Sequence, residues 1–346
     1  MKNAKKGPVD FPSRMLSLGA EFKQKAGDRW SMVGPQPGPM PLAADAETPL
    51  AERQDTPYAM GARRSWVPAL GESVWELPKA LAARSYYAYV CRESGGQQIG
   101  YVRVPDYNYN EDAVNVFGEE IVARFESTTE AMVLDQVDNW GGSMFQMYAL
   151  LSMLTDRALA LPKHQIMIDE DYAAIAADVV ANAEAGEAVP PDERPTPERV
   201  AYSRFVLSER AAGRGTGLKP SNPVYLEGVA EILPGKNHYT KKIIVLINEL
   251  CFSAGEFLAA ILQDNKRALL FGVRTAGAGG CAKRICIPND LGVGDISMTW
   301  TIAQRTNGQP IEGVGVHPDV SYSVTAEDIR SGYANYRQAL LATINA

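Results

Sequence analysis

Five consecutive aliphatic residues, Ile243-Ile244-Val245-Leu246-Ile247, constrain this 346-residue chain more than any other feature. A run without polar alternation reads as a strand covered on both faces, the situation of a parallel sheet between helices. A turn over 248–252 and helical periodicity over 253–264 follow. The same order occurs upstream: a buried strand over 131–136, the turn Asp138-Asn139-Trp140-Gly141-Gly142-Ser143, then a helix over 144–155. A third strand, 268–273, runs into a Gly/Ala loop over 275–280. Strand, turn and helix in repeated alternation give an α/β fold class.

A β-rich flank precedes this core. Residues 86–91 and 99–104 are strand-like around a Glu93-Ser94-Gly95-Gly96 hairpin turn, and a helix is expected over 112–127. Residues 285–288 and 294–304 are also β-like, Asn307-Gly308 is a hairpin-type turn, and Thr325-Ala326-Glu327-Asp328 opens a C-terminal helix. Residues 170–220 interrupt the alternation. An Ala-rich helix over 171–185 is broken by the prolines of 190–197, and a second helix is expected over 198–210. This stretch reads as a peripheral helical insertion without a catalytic group. Residues 1–60, rich in Pro, Gly and charge, read as a partly extended N-terminal arm with a short helix over 15–24. The division is thus an arm, 1–60, and a core, 61–346, with an insertion at about 170–220.

Composition excludes several classes. Lys and Arg number 34 against 41 Asp and Glu, so the net charge of −7 leaves no broad basic footprint for nucleic acid. No run approaches the ~18–20 apolar residues of a membrane-spanning helix. The basic start, Met1 to Lys6, meets Gly7-Pro8 rather than an apolar core, so no targeting segment is visible. The four cysteines form no CxxC pair and read as free thiols. Nothing calls for a metal or a cofactor.

Three segments carry candidate chemistry. Ser253 lies where a buried strand delivers the chain into a helix. Helix-start amides favour developing negative charge there, with the Ala254 N–H aimed at an oxyanion and Gly255 leaving room for a substrate backbone. The same Ser253-x-x-Glu256 spacing is also a capping box, in which the hydroxyl only satisfies a helix amide. Gly141 and Gly142 let backbone N–H groups approach a ligand, or simply end a strand. Glu312, among the small residues of 307–319, is either a pinned carboxylate or a solvated loop residue.

These residues carry a resemblance. Ser253-Ala254-Gly255-Glu256, residues 262–268, Phe271-Gly272-Val273-Arg274-Thr275-Ala276-Gly277 and Gly313-Val314-Gly315-Val316-His317-Pro318-Asp319 resemble the tail-specific (C-terminal processing) serine peptidase family. Leu134-Asp135-Gln136, residues 150–156, Pro162-Lys163-His164, residues 275–280 and Ile311-Glu312 are similar to its chlamydial protease-like activity factor subgroup. The likeness runs from about 61 to the end, outside 170–220, and implies a ClpP/crotonase-like core. It implies Ser253 as nucleophile and protein or peptide substrates. The family's lysine, 25 positions after the serine, would fall on Ala278, so a Ser/Lys dyad is not supported, and Lys283 is out of register. The subgroup's glutamate, 59 positions after the serine, falls on Glu312. None of His164, His238 and His317 matches the subgroup's histidine, and a structural role is expected for each. The resemblance places that histidine in an N-terminal half of a common precursor, which makes that half an expected partner; it also implies secretion or a periplasmic location, and a homodimer among the assemblies. Two other readings stay open: an inactive pseudo-protease serving as a binding module, and a crotonase-like acyl-CoA enzyme.

Overall fold

The computed structural model describes residues 10–26, 61–82, 86–108, 111–190, 194–286 and 295–346. Its centre is a seven-stranded sheet whose spatial order is its chain order. The strands are β1 (Glu72–Glu76), β2 (Tyr87–Arg92), β3 (Gln98–Arg103), β4 (Ala131–Asp135), β5 (Lys242–Ile247), β6 (Leu269–Gly272) and β7 (Val320–Ser321). β1, β2 and β3 pair antiparallel, the last two as the expected hairpin, and β3 to β7 are parallel.

The aliphatic run is β5, held between β4 and β6, with every residue from Ile243 to Ile247 buried. Alternation along the pleat divides it between two cores. Ile243, Val245 and Ile247 join Val102, Leu134, Phe117, Leu150 and Phe257 on one face. Ile244 and Leu246 join Tyr101, Phe271 and, from the C-terminal helix Ala334–Asn345, Tyr336, Leu340 and Ile344 on the other. Burial of each such side chain contributes roughly 1.5–3 kcal/mol, which is why the run tolerates no polar residue.

The helix expected over 112–127 is three joined pieces, Glu111–Val116, a π-helical turn Phe117–Val122, and Ala123–Thr128. The widened turn keeps Phe117, Ile121, Val122 and Phe125 all buried. The short helix of the arm is longer than expected, Phe11–Ala26, and it docks on the core through buried Phe11, Met15 and Leu18. The rest of the arm, expected to be partly extended, the middle of the proline break and all of 287–294 lie outside the described residues. The insertion is two helices, Glu170–Ala185 and Pro197–Ala211, capped by Asp169 and Thr196. Arg199 ties it to Glu227 and to Glu21 of the first helix. Among the described residues no helix is long and apolar enough to cross a membrane, and Cys91, Cys251 and Cys281 are buried free thiols.

Candidate active site

Three adjacent parallel strands, β4, β5 and β6, send their carboxyl-terminal loops to one place, where open α/β sheets hold their ligands. The loop after β5 delivers Ser253, which is 9% exposed, to the start of the helix Ala254–Asp264. Its backbone sits at φ 54°, ψ −128°, a region an L-residue occupies only when the surroundings hold it there. Those surroundings are explicit. The Ser253 amide donates to the Ala278 carbonyl at 2.9 Å, the Phe252 amide to the Asn139 carbonyl at 3.1 Å, and the Ala276 amide to the Cys251 carbonyl at 3.0 Å.

The capping-box reading of Ser253-x-x-Glu256 does not hold, because Ser253 makes no side-chain cap bond. The Glu256 carboxylate faces the other way. It is fully buried and accepts hydrogen bonds from the Thr275 hydroxyl at 2.5 Å, the Gly277 amide at 2.6 Å and the Ala278 amide at 2.7 Å. Burial raises its pKa above the ordinary glutamate value, against the three donors that lower it. Glu256 therefore latches the loop whose Ala278 carbonyl holds the Ser253 amide. Sequence alone could not separate these roles, since both place a glutamate three residues after a serine.

The loop after β4 brings the glycine turn against the serine. At Gly141, φ is 97° and an added Cβ would lie 2.6 Å from Ser253 Cβ and 3.0 Å from the Ala254 nitrogen, so only glycine fits. The Gly141 amide is already engaged, donating to Asn139 Oδ1 at 2.8 Å. This distinguishes Gly141 from the other amides expected to face an oxyanion. Of the three, the Ala254 and Gly142 amides have no hydrogen-bond partner among the described residues, whereas Gly141 contributes close approach. Gly255 is corrected too: its missing side chain makes room for Asn139, whose carbonyl would be 3.0 Å from a Cβ, not for a substrate.

Glu312 is half-buried, and its Oε2 accepts a hydrogen bond from the Gly280 amide at 2.8 Å. It is a pinned carboxylate and not a solvated loop residue. Ala278 and Gly280, two residues apart, thus hold Ser253 and Glu312 respectively, while Gly313 donates to the Gly277 carbonyl at 2.7 Å. One short loop sets both groups.

The histidines lie elsewhere in their bonding. His164 is fully buried, stacks on Phe257 at 5.3 Å between ring centroids and pairs its Nδ1 with the Thr301 hydroxyl at 3.2 Å. Burial pushes its pKa down to about 3. His238 Nδ1 lies 2.9 Å from the Gly235 carbonyl, and His317 is exposed. Lys283 pairs with Asp169, at the start of the insertion, and does not serve as a base for Ser253 in this arrangement. Among the described residues no cluster of side chains could hold a metal ion.

Comparison with known proteins gives the family. The chain is 37% identical over 307 residues to an uncharacterised protein of Chlamydia muridarum, and 35% identical over 304 residues to a protein of Chlamydia trachomatis. Each alignment covers 81% of this chain and 50% of the relative, so the chain spans about half the length of these curated relatives. The solved structure of mature CPAF complexed with lactacystin superposes with a TM-score of 0.72 at 32% identity, over 85% of this chain and 59% of that one. The model of peptidase family S41 matches residues 98–322, which sets aside the acyl-CoA alternative: the chain belongs to peptidase family S41.

Proposed function

We propose that this chain supplies the nucleophile of a serine endopeptidase. Ser253 Oγ attacks the carbonyl carbon of a peptide bond while an imidazole takes the hydroxyl proton. The amides of Ala254 and Gly142 donate to the oxyanion that forms. Glu312 accepts from the second ring nitrogen, fixing the tautomer and stabilising the imidazolium, which then protonates the leaving amine. Water hydrolyses the resulting acyl-enzyme by the reverse proton path. The imidazole belongs to a histidine in a further polypeptide segment, in keeping with a chain that spans half the length of its relatives. The observation that carries the reading is Ser253 itself: a strained helix-start serine whose hydroxyl is not spent on capping, beside an unengaged Ala254 amide.

A fluorophosphonate probe tests it. With imidazole added to supply the base, wild-type chain should be labelled on the Ser253 peptide, and Ser253→Ala should not be labelled at all. Equal labelling of the two proteins, or modification at another serine, would sink the assignment. The inactive pseudo-protease is favoured by one observation: none of His164, His238 and His317 hydrogen-bonds to Ser253 or Glu312 among the described residues. That reading predicts a chain that binds polypeptide and never becomes labelled.

A further inference from the structure

Beside Glu312 the chain forms a groove of about 360 Å³, in the size range of pockets that take small ligands or parts of larger ones. Gln165-Ile166-Met167, Thr299, Trp300 and Ile302 line it. So do Gly215 and Gly217 to Pro220, in the leg by which the insertion returns to the core. The expectation of a purely peripheral insertion is incomplete on this point. Its buried Tyr172 also meets the ring of Trp300, a lining residue, edge-on at 5.0 Å between centroids.

The groove is largely apolar, and its apolar groups face solvent. Leu218 is fully exposed at 101%, and Met167 and Ile302 are each 41% exposed. Three large apolar side chains around one concavity are a patch of the kind that marks a binding surface. It is also continuous with the candidate active site. Glu312 lines the groove, Gly280 holds Glu312 and packs against Thr299, and the Trp300 amide donates to the Cys281 carbonyl at 2.8 Å.

We propose that this groove is a specificity subsite, taking a bulky aliphatic or aromatic side chain of an extended polypeptide substrate. The proposal rests on the endopeptidase reading, because the occupant is the chain being cut. A pocket with this mostly apolar lining buries an apolar side chain favourably, whereas an acidic one would lose hydration in a groove where the charges of Lys219 and Glu312 offset each other. Leu218 on the insertion's leg closes over the side chain once it is seated.

Fluorescein-labelled heptapeptides of Gly and Ser with a single central Leu, Phe, Ser or Asp test this by anisotropy on the purified chain. The Leu and Phe peptides should bind roughly tenfold or more tightly than the Ser and Asp peptides. Leu218→Asp, at an exposed position where folding is not at stake, should erase that preference. Leu218→Met should restore it, and Ser253→Ala should leave it intact. Binding without side-chain preference, a preference that survives both Leu218→Asp and Ile302→Asp, or no binding of any peptide would overturn the proposal. If Leu218→Asp instead converts a dimer into a monomer in sedimentation without changing peptide preference, the face is a contact between copies and the subsite is wrong. The fluorophosphonate probe keeps the two readings apart. An unlabelled Ser253 with Leu218-dependent peptide binding rejects the nucleophile and keeps the groove, and a labelled Ser253 with indifferent binding does the reverse.

Discussion

Glu256 shows how much a single buried side chain can set. Its two oxygens take three donors, so Glu256→Gln keeps the Thr275 and Gly277 bonds on the amide oxygen and turns an NH₂ group toward the Ala278 N–H. That leaves a buried donor unmatched, a cost of about 1–3 kcal/mol. It also frees the Ala278 carbonyl from its position over the Ser253 amide. Urea midpoints should fall and probe labelling of Ser253 should slow in the same variant; a destabilised protein labelled at the wild-type rate would show the latch to be structural only. The pH dependence has a definite sign. With the folded pKa raised by burial, the group's contribution is complete below the ordinary glutamate range and is lost as pH rises through the raised value. The Glu256→Gln deficit should therefore shrink from acid toward neutral pH. His164 acts in the opposite sense. Its folded pKa of about 3 lies below the unfolded value, so its contribution is present above about 6.5 and is lost as pH falls toward 3. Between pH 7 and 5 this amounts to about 2 kcal/mol. His164→Phe, which keeps the ring on Phe257, should lose less stability over that interval in urea titrations, and identical slopes would mean that His164 is not held neutral. At this scale, the family resemblance singled out Ser253 and Glu312, and both bond to the one loop of 278–280. The direction of a carboxylate was not legible, because a capping box and a loop latch share one pattern.

The elements read most clearly were those whose burial is periodic. β4, β5 and β6 and the helices after them are where the apolar runs place them, since only a two-sided environment accepts such runs. The docked arm helix was only half legible: Phe11, Met15 and Leu18 form one stripe, but the flanking Pro, Gly and Lys residues hide its extent. The groove lining from Gly215 to Pro220 was invisible, because a Gly/Pro loop has no period and its partner strand is far away in the chain. The insertion that carries this lining hangs on Arg199. That side chain is buried, pairs with nearly buried Glu227 at 3.4 Å, and reaches Glu21 of the first helix. Glu227 also accepts from the Tyr172 hydroxyl at 3.2 Å and holds a positive φ of 51°. Removing one partner of a buried ion pair leaves an uncompensated charge, a loss of roughly 3–5 kcal/mol, reduced here by the exposed Glu21 arm. Arg199→Leu should thus loosen both insertion helices before the sheet. In limited proteolysis the variant should be cut within 170–211 well ahead of wild type, with the 242–272 region still protected. First cuts in β5 or β6 would show that the insertion and the core are one cooperative unit.

For the whole molecule, the parallel pairing of β4, β5 and β6 puts the loops after all three at one sheet end, even though 106 residues separate β4 from β5. The proposed mechanism takes its base from outside this chain. Serine is a weak nucleophile until its proton is taken, and removal of a triad member leaves only the residual rate supplied by the oxyanion donors and binding. The purified chain should therefore turn over an unstructured protein substrate poorly. If Glu312 is placed to orient an imidazole, however, free imidazole should do part of the work. Neutral imidazole can accept the Ser253 proton through one nitrogen while donating to Glu312 through the other. Added imidazole should then accelerate acylation of Ser253 by an activated ester, saturating with concentration and growing as pH rises through the imidazole pKa near 7. Ser253→Ala should abolish the acceleration. Glu312→Gln should keep basal acylation and lose most of the rescue, because its amide no longer stabilises an imidazolium; it also retains an oxygen for the Gly280 amide, so the loop need not move. A rescue that grows linearly without saturation and ignores Glu312 would be solution buffer catalysis. Robust turnover of the chain without imidazole would mean that one of its own three histidines or Lys283 reaches Ser253 after a rearrangement. The first outcome would separate Glu312 from the chemistry and leave it as a support for the Gly280 loop, and the second would remove the need for a base from another segment.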